Sequence, residues 1–394
     1  EIEKGDGNDC ATIIFTSGTT GKPKGVMLSH RNFLHQVECV PLLITVGPGD
    51  RWQSILPVWH SFERIMQYVA LGTASSLGYS KLIARILTAD FQKLKPTWMA
   101  AVPRVWESLQ AGIYRAIRSG SGVKYMLFRF FVAIGGAHKT ASDLVKGFIP
   151  QFKRRLRVLD IAAGIIPFLL LYPLRLLGGV LVFGKIKERL GGEFVAGISG
   201  GGALPRAVDT FYGAAGILLL EGYGLTETAP VLSLRLQRRP VPGTIGPIFP
   251  GTEAKIIDED GNELAPGGKG VLYVRGPQVM LGYYRQPELT RQILSEDGWL
   301  NTGDLAMMTH RGEIKIVGRA KDTIVLLGGE NVEPSPIEEK ITESEYISTA
   351  IVLGQDQKFL AALIIPEREN INRYAEENNV SYTNEGELLE NPEI

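Results

Sequence analysis

The sequence predicts an α/β fold built from more than one part, and three observations carry that prediction. Short apolar runs at residues 11–15, 217–220 and 270–274 alternate with helical patterns at 84–94 and 105–117, the alternation expected of strands joined by helices. From 243 to 317 the texture changes to short β-type runs separated by the turn signals DEDG, APGG, SEDG and THRG, which predicts a β-rich subdomain. The 394 residues also exceed the roughly 100–200 of one ordinary domain.

The elements follow from local pattern. Residues 11–15 (ATIIF) are β-branched and aromatic and end at a glycine-rich loop, as a strand would. Leu87, Phe91 and Leu94 recur at helical spacing within 84–94, and Trp106, Leu109, Ile113 and Ile117 do so within 105–117. The most apolar stretch, 159–186, is interrupted by Pro167, Pro173, Arg175 and the Gly178-Gly179 pair. A membrane-crossing helix wants about 20 uninterrupted apolar residues, so two short helices are expected there. They are either buried or partner-facing, or they lie on a membrane surface, with a true span as the remaining alternative. Basic residues flank the stretch: Lys153, Arg154, Arg155 and Arg157 before it, Lys185, Lys187 and Arg189 after it, as peripheral contact with anionic headgroups would use. The acidic tail, 378–394, reads as a frayed or cut end.

Composition narrows the function classes. Lys+Arg 42 balances Asp+Glu 42, so no excess field would hold a polyanion and nucleic-acid binding has no electrostatic support. Glycine, 46 residues or about 12%, is well above its ordinary share of roughly 7% and is concentrated in loops. Cys10 and Cys39 belong to no Cys/His cluster, which favours a reducing, cytoplasmic setting and gives no zinc site. The chain starts at Glu1 with no basic region followed by an apolar one, so no secretory signal is read, and a fragment of a longer protein is expected.

The first chemical signal follows the 11–15 run directly. Thr16-Ser17-Gly18-Thr19-Thr20-Gly21-Lys22-Pro23-Lys24-Gly25 packs four hydroxyls, three glycines and two lysines into ten residues. Glycine lets backbone N–H groups approach oxyanions, hydroxyls add donors, and lysine offsets charge. The Walker A spacing is absent. Four further strings come in order: Ser199-Gly200-Gly201-Gly202-Ala203-Leu204-Pro205, Gly222-Tyr223-Gly224-Leu225-Thr226-Glu227-Thr228, Thr302-Gly303-Asp304 and Gly318-Arg319-Ala320-Lys321-Asp322.

Together these strings resemble the adenylate-forming superfamily, which includes acyl-CoA synthetases, peptide-synthetase adenylation domains and luciferases; the resemblance runs from Ala11 to about Pro366. It implies a large AMP-binding domain with parallel-type sheets and the β-rich subdomain (residues 1–318). A partial, small, mobile α+β C-terminal domain (319–394) would follow, hinged near Lys321. It also implies ATP, Mg²⁺ and a thiol acceptor, either coenzyme A or the phosphopantetheine of an acyl carrier protein. By that resemblance Thr16, Ser17, Gly18, Thr19, Thr20, Gly21 and Lys24 hold the β- and γ-phosphates of ATP. Thr226 contacts the α-phosphate, and Glu227 is the metal ligand, a carboxylate suited to a hard cation. Gly201, Gly202, Tyr223 and Gly224 frame adenine, Asp304 accepts from the ribose hydroxyls, and Arg319 contacts the ribose or phosphate side. His60, in Leu56-Pro57-Val58-Trp59-His60-Ser61-Phe62-Glu63-Arg64, resembles the family's acyl-side wall and gate, a role distinct from a general base.

Val102-Pro103-Arg104-Val105-Trp106-Glu107 and Gly328-Gly329-Glu330-Asn331-Val332-Glu333-Pro334 resemble long-chain fatty acid ligases, the latter in the form of their bacterial and plastid relatives, and a bacterial type is expected. At about 0.8 kcal/mol per buried CH₂, chain length would be the main specificity handle. The expected activity is ATP-dependent conversion of a long-chain fatty acid to acyl-AMP, then thioester formation with release of AMP and pyrophosphate. The expected location is cytoplasmic, with peripheral membrane contact through 159–186. Family members carry a sizeable region before the phosphate loop and a C-terminal lysine that closes on the acyl-phosphate, whereas here no lysine follows Lys358; this chain alone is expected to be impaired in adenylation. The alternatives are an adenylation module for another carboxylic acid, or a noncatalytic adenylate- or lipid-binding protein.

Overall fold

The structure, a computed structural model, describes residues 5–16, 23–378, 380–382 and 384–392. The chain forms two units, residues 1–302 with 306–316, and residues 303–305 with 317–394.

The first unit opens with an antiparallel hairpin, β1 (Cys10–Thr16) and β2 (Lys24–Ser29), with Thr16 opposite Lys24. Helix α1 (His30–Leu43) starts at once behind it, and the Ser29 and Asn32 side chains form a reciprocal capping box. A six-stranded sheet follows: β3 (Arg51–Ser54), β4 (Ser76–Tyr79), β5 (Trp98–Ala101), β6 (Ala196–Ser199), β7 (Leu218–Gly224) and β8 (Val231–Leu234), in the order β4-β3-β5-β6-β7-β8. The five strands from β4 to β7 run parallel, and β8 joins antiparallel to β7. Helices α2 (Ser61–Gly72), α3 (Ala84–Leu94) and α4 (Pro103–Arg118) connect strands in this sheet. β5 and β6 are buried at every position, as parallel strands covered on both faces require.

Two apolar cores hold the unit together. One gathers Val26, Leu28, Trp52, Ile65, Trp98 and Leu220, and the other gathers Phe91, Trp106, Phe128, Phe183 and Phe211. Trp52 stacks on Trp98 with ring centroids 5.5 Å apart, and Trp106 is fully enclosed, its carbonyl accepting from Tyr212 Oη at 3.0 Å. The Trp106 ring lies against Gly197, where an added Cβ would come within 2.3 Å of it.

The predicted change of texture after 243 is real. Strands β9 (Gly246–Pro247), β10 (Glu253–Ile257), β11 (Lys269–Arg275), β12 (Gly282–Tyr283), β13 (Leu300–Met308) and β14 (Glu313–Arg319) follow one another. Five of them form a sheet ordered β10-β11-β13-β14-β9, while β12 leaves it to pair with β2.

The 159–186 stretch departs from the expectation of two short helices, and from burial. Helix α5 (Gly122–Lys146) is followed by α6 (Arg157–Gly178), which runs through both prolines. One π-helical turn, Gly179–Phe183, then carries it into α7 (Gly184–Arg189) without a break. Tertiary packing overrides the breakers: α6 lies antiparallel on α5, with Gly164 against Leu144 and Ala141 and Gly178 against the Phe131 ring, so contacts along its whole length offset the bonds the prolines cannot make. The Gly178-Gly179 pair, read as a break, is where the π turn begins. Most of the apolar surface of α6 and the π turn is exposed, Leu170 at 71% and Val180 at 79%. Helix α8 (Arg206–Ala215) packs beneath α5.

In the second unit, β15 (Ile324–Val325) pairs with β16 (Asn331–Val332) and β17 (Ile347–Leu353) with β18 (Ala361–Pro366). Helix 334–341 packs on β17. The tail is more ordered than a frayed end, because Asn384 caps a helix over 385–390 that buries Leu388.

The packing at Gly197 is testable. Gly197→Ala should lower the unfolding free energy of the first unit by about 1–3 kcal/mol through overpacking against Trp106. Gly112→Ala, on the exposed side of α4 with open space around it, should raise it by about 0.5–1 kcal/mol. Denaturant unfolding followed by tryptophan fluorescence reads both.

Candidate active site

The carboxyl ends of the parallel strands gather His60, Gly201, Gly202, Tyr223, Gly224, Thr226 and Glu227, on the sheet edge where open α/β folds bind ligands. After β3 comes the loop to His60. After β6 comes the glycine turn, whose Gly200 N–H donates to Ala101 O at the end of β5 (3.2 Å). Beyond β7 comes the Thr226–Glu227–Thr228 turn, a single 3₁₀ turn. Gly201 adopts φ +80°, open only to residues without a Cβ penalty, and both it and Gly202 are exposed. Gly224 tolerates nothing larger, since a Cβ would lie 1.7 Å from Pro230 O. Tyr223 lies half-buried at the end of β7, paired in register with Ser233.

The β1–β2 hairpin and the Thr226–Thr228 turn are joined by a segment that sequence reasoning passed over. In 280–284, Leu281 N–H donates to Met27 O (2.9 Å) and Tyr284 N–H to Gly25 O (2.7 Å), extending β2. Within the same segment Met280 N–H donates to the backbone oxygen of Glu227 (2.8 Å). Tyr283 Oη donates to Glu227 Oε1 at 2.6 Å, and the Lys24 ammonium sits 5.3 Å from the centre of the Tyr283 ring. Burial, then the Glu227 charge, pushes the Tyr283 phenol far above its ordinary value, so it stays a donor. The only sequence trace of this joint is the Gly-Tyr-Tyr string behind a β-type run. From the other side Gln36, fully buried on α1, donates to Val231 O (2.8 Å) and accepts from Val231 N–H (3.2 Å).

Ser17, Gly18, Thr19, Thr20 and Gly21 lie outside the described residues. Thr16 and Lys24 stand opposite each other at the mouth of the hairpin.

Two further groups support the strand ends. Glu221 Oε1 accepts from Leu204 N–H in the glycine turn (3.0 Å), while Glu221 Oε2 pairs with Arg235 (2.8 Å). Arg235 is 2% exposed and also meets Asp209 at 2.9 Å, a compensated buried cation. Glu63, buried, accepts from Ser54 Oγ, Gln67 Nε2 and Leu56 N–H, and burial pushes its carboxyl above the usual range. That network fixes the loop leading to His60. His60 caps α2, its Nδ1 accepting from Phe62 N–H at 3.2 Å. Its outer edge is exposed, yet desolvation of the inner side holds the imidazole below the ordinary histidine value, which favours the uncharged form. The Phe62 ring lies against Gly200, which couples this loop to the glycine turn.

Asp304, Arg319 and Lys321 belong to the second unit. Asp304, 4% exposed, pairs with Arg319 Nε at 3.2 Å. Lys321 is exposed in a turn where Ala320 N–H donates to Gly303 O and Asp322 N–H to Arg319 O, both 3.0 Å. Glu333, from the string at 328–334, accepts from Thr323 Oγ1 at 3.0 Å.

The donor set fits a nucleotide bound with Mg²⁺. Among the described residues no group of three His, Cys, Asp or Glu could hold a metal alone. Glu227 thus offers one carboxylate, the donor count of a Mg²⁺ ion that takes its remaining oxygens from water and phosphate.

A parallel sheet with a glycine turn and a Thr-Glu-Thr turn at its carboxyl edge is the architecture of an AMP-binding enzyme family member. The AMP-binding enzyme family model matches residues 1–284, the model of the AMP-binding enzyme C-terminal domain matches 321–385, and the chain belongs to this family. It is 41% identical over 390 residues to a chloroplastic long-chain-fatty-acid–[acyl-carrier-protein] ligase of Arabidopsis thaliana, covering 93% of this chain and 52% of the relative. A peroxisomal long chain acyl-CoA synthetase of the same plant is 31% identical, covering 98% and 52%. The human long-chain-fatty-acid–CoA ligase 1 is 32% identical, covering 93% and 49%. The chain spans about half the length of the curated relatives it matches. Among solved structures, ATP-bound MatB from Rhodopseudomonas palustris shares the fold with a TM-score of 0.66 at 24% identity, over 98% of this chain and 62% of that one. The expected bacterial type is not borne out, since the relatives near 40% identity are plant chloroplast proteins.

The joint at Tyr283 makes a prediction that needs no ligand. In a double-mutant cycle of Tyr283→Phe and Glu227→Gln, the coupling free energy from denaturant unfolding should be at least about 1 kcal/mol, since a hydrogen bond to a charged acceptor contributes about 1.5–3 kcal/mol. Zero coupling would mean the bond is not made in solution.

Proposed function

We propose that this chain is the central part of an enzyme that activates a long-chain fatty acid with ATP and passes the acyl group to a thiol, of coenzyme A or of an acyl carrier protein. The observation that carries the reading is the joint at Tyr283, which sets a lysine of the phosphate hairpin and the Glu227 carboxylate on one rigid support. The names of the relatives, ligases and synthetases of long-chain fatty acids, support the choice of acid.

A carboxylate resists acyl transfer because its leaving group would be oxide, and attack of one anion on a polyphosphate is opposed by charge. The residues in hand answer the second problem by positioning and neutralisation. Thr16, Lys24 and the intervening loop hold the β- and γ-phosphates, and Thr226 donates to the α-phosphate. Glu227 would hold Mg²⁺, which would supply positive charge to offset the polyphosphate. Gly201, Gly202 and Gly224 admit the nucleotide close to the backbone, Tyr223 offers its ring face to adenine, Asp304 accepts from the ribose hydroxyls, and Arg319 contacts the ribose or phosphate side. The substrate carboxylate oxygen then attacks the α-phosphorus, the bond to the β-phosphate oxygen breaks, and pyrophosphate leaves. In the second half-reaction the thiol sulfur attacks the acyl carbonyl, its proton is lost to solvent, and AMP leaves. His60 walls the acyl side, and Lys321 marks the hinge of a mobile C-terminal domain covering 319–394. A cytoplasmic, membrane-face location belongs to the same proposal, because a long acyl chain partitions into bilayers.

The test uses the longer parent protein. Glu227→Ala and Asp304→Ala should each lower palmitate-dependent pyrophosphate release at least about 100-fold, the scale of lost electrostatic and positioning contributions. Rates equal to the unsubstituted protein would overturn the site assignment. Calorimetric titration of this chain with a nonhydrolysable palmitoyl-adenylate, beside an aminoacyl-adenylate, separates the acids: tight binding of the palmitoyl compound alone is expected. Preference for the aminoacyl compound would favour an adenylation module for another acid, and binding without turnover in the parent would favour a noncatalytic adenylate-binding protein.

A further inference from the structure

The amino edge of the parallel sheet, opposite the candidate active site, carries two cations that no carboxylate of the described residues neutralises. Arg175 of α6 and Lys187 of α7 converge on Gly216, the left-handed residue (φ +69°) that ends α8 and leads into β7. A Cβ on Gly216 would come within 2.7 Å of Arg175 Nη2 and 3.4 Å of Lys187 Nζ, and its nearest neighbours all belong to these two side chains. The two nitrogens therefore stand within about 6 Å of each other, a gap that one oxyanion can bridge. Gly216 is exposed, so the cations meet at the surface and not in the core.

Other part-buried cations of this unit are matched. Arg235 has Glu221 and Asp209, Arg239 has Glu313, and Lys139 has Asp143. Arg175 and Lys187 make no ion pair or hydrogen bond among the described residues; the guanidinium has only the Phe183 ring, 5.0 Å away. Burial depresses the pKa of both groups, the Arg175 charge depresses Lys187 further, and no carboxylate offsets either. A half-buried guanidinium has five N–H donors to satisfy, and here none meets a protein acceptor.

A helix C-terminus attracts cations through its dipole and its free carbonyls, which is the competing account of the pair. The end of α8 is closed by backbone instead, Gly216 N–H donating to Gly213 O (3.0 Å) and Ile217 N–H to Tyr212 O (2.9 Å). Chemistry then selects the ligand. A guanidinium fork takes two oxygens in one plane and an ammonium takes a third as a point charge, the demand of a tetrahedral oxyanion; a flat carboxylate would fill the fork and leave the ammonium unmet. Any side chain at 216 would occupy the space between the two nitrogens.

We propose that Arg175, Lys187 and the open backbone at Gly216 form a binding site for phosphate, free or as the monoester group of a small molecule. Arg175 and Lys187 flank the π turn Gly179–Phe183, so bound phosphate staples both sides of that turn to the end of α8. Strand β7, seven residues long, separates the site from Gly224 by roughly 20 Å. It is therefore distinct from the nucleotide site, and independent of the acyl-activation reading, since it is measured without ATP or fatty acid.

The experiment is thermal unfolding of this chain, followed by tryptophan fluorescence, in inorganic phosphate and in sodium chloride of equal ionic strength. Saturating phosphate should raise the melting temperature at least about 2 °C beyond the chloride effect. The double variant R175Q/K187Q should abolish that gain, and K24Q, on the β1–β2 hairpin, should keep it. In phosphate-free buffer of low ionic strength K187Q should melt at or above the unsubstituted protein, because it removes a like-charge repulsion; this reads the site even where the double variant fails to fold. Glycerol 1-phosphate separates the sources: a gain equal to that of inorganic phosphate assigns the site to monoesters, and no gain assigns it to the free ion. Four results overturn the proposal: no gain beyond chloride; a gain unchanged in R175Q/K187Q; a gain lost in K24Q; or a lower melting temperature for K187Q in phosphate-free buffer, the mark of a cation that caps α8.

Discussion

The hydrogen bond from Tyr283 to Glu227 is the constraint on which the candidate site depends. Its donor sits on a two-residue strand that pairs with β2, and its acceptor on a one-turn helix that no strand pairing holds. A 3₁₀ turn of three residues has poor internal hydrogen bonding, so the direction of the Glu227 side chain must come from outside. Tyr283 fixes the carboxylate and Met280 N–H fixes the backbone. One carboxylate oxygen is engaged by the phenol, and the group keeps further acceptor capacity. Lys24 rests over the same ring, so the cation of the hairpin and the anion of the turn are indexed to a single side chain.

A second constraint stands behind the first. Arg235 is a fully enclosed guanidinium, and an uncompensated charge there would be strongly destabilising. Two carboxylates, Glu221 and Asp209, and two carbonyls, Thr244 and Leu219, surround it. Because Glu221 also receives the Leu204 N–H, the network that satisfies the buried cation positions the glycine turn after β6. Packing and positioning are therefore not separable at this edge: removing Arg235 would take from Glu221 the cation that holds its Oε2, and with it one support of the turn.

Much of this was legible in the sequence, where the chemistry is written in contiguous strings. The strand at 11–15, the helices at 84–94 and 105–117 and the β-rich run after 243 form as their patterns implied, because β-branched runs, helical spacing and turn residues are local properties. What escaped notice is long-range. Tyr283 meets a residue 56 positions away, and Gln36 one 195 positions away, and neither carries a local signature. The 159–186 stretch failed for a related reason: proline and paired glycine are local arguments for a break, whereas contacts along α5 decide the matter. There the local breakers are present and a tertiary partner outweighs them.

The second unit shows how a turn that reads as solvated loop can be a structural joint. Residues 318–323 look loose in sequence, with four of six positions polar or charged. In the fold they are braced twice, by Ala320 N–H on Gly303 O and Arg319 on Asp304 before Lys321, and by Glu333 on Thr323 after it. Gly318 has no Cβ, and one would approach Glu333 to 3.0 Å, so the carboxylate closes tightly on the turn. Lys321 and Asp322 are left as the short stretch between two braces. A rotation of the C-terminal part, as the proposed hinge requires, would be absorbed most cheaply there, since few-residue segments between fixed ends are where backbone angles can change without unpacking a core. The same bracing fixes Asp304: its nearly enclosed carboxylate is met by the exposed Arg319 guanidinium at 3.2 Å, so the group that the proposed ribose contact would use is oriented by the turn that follows it.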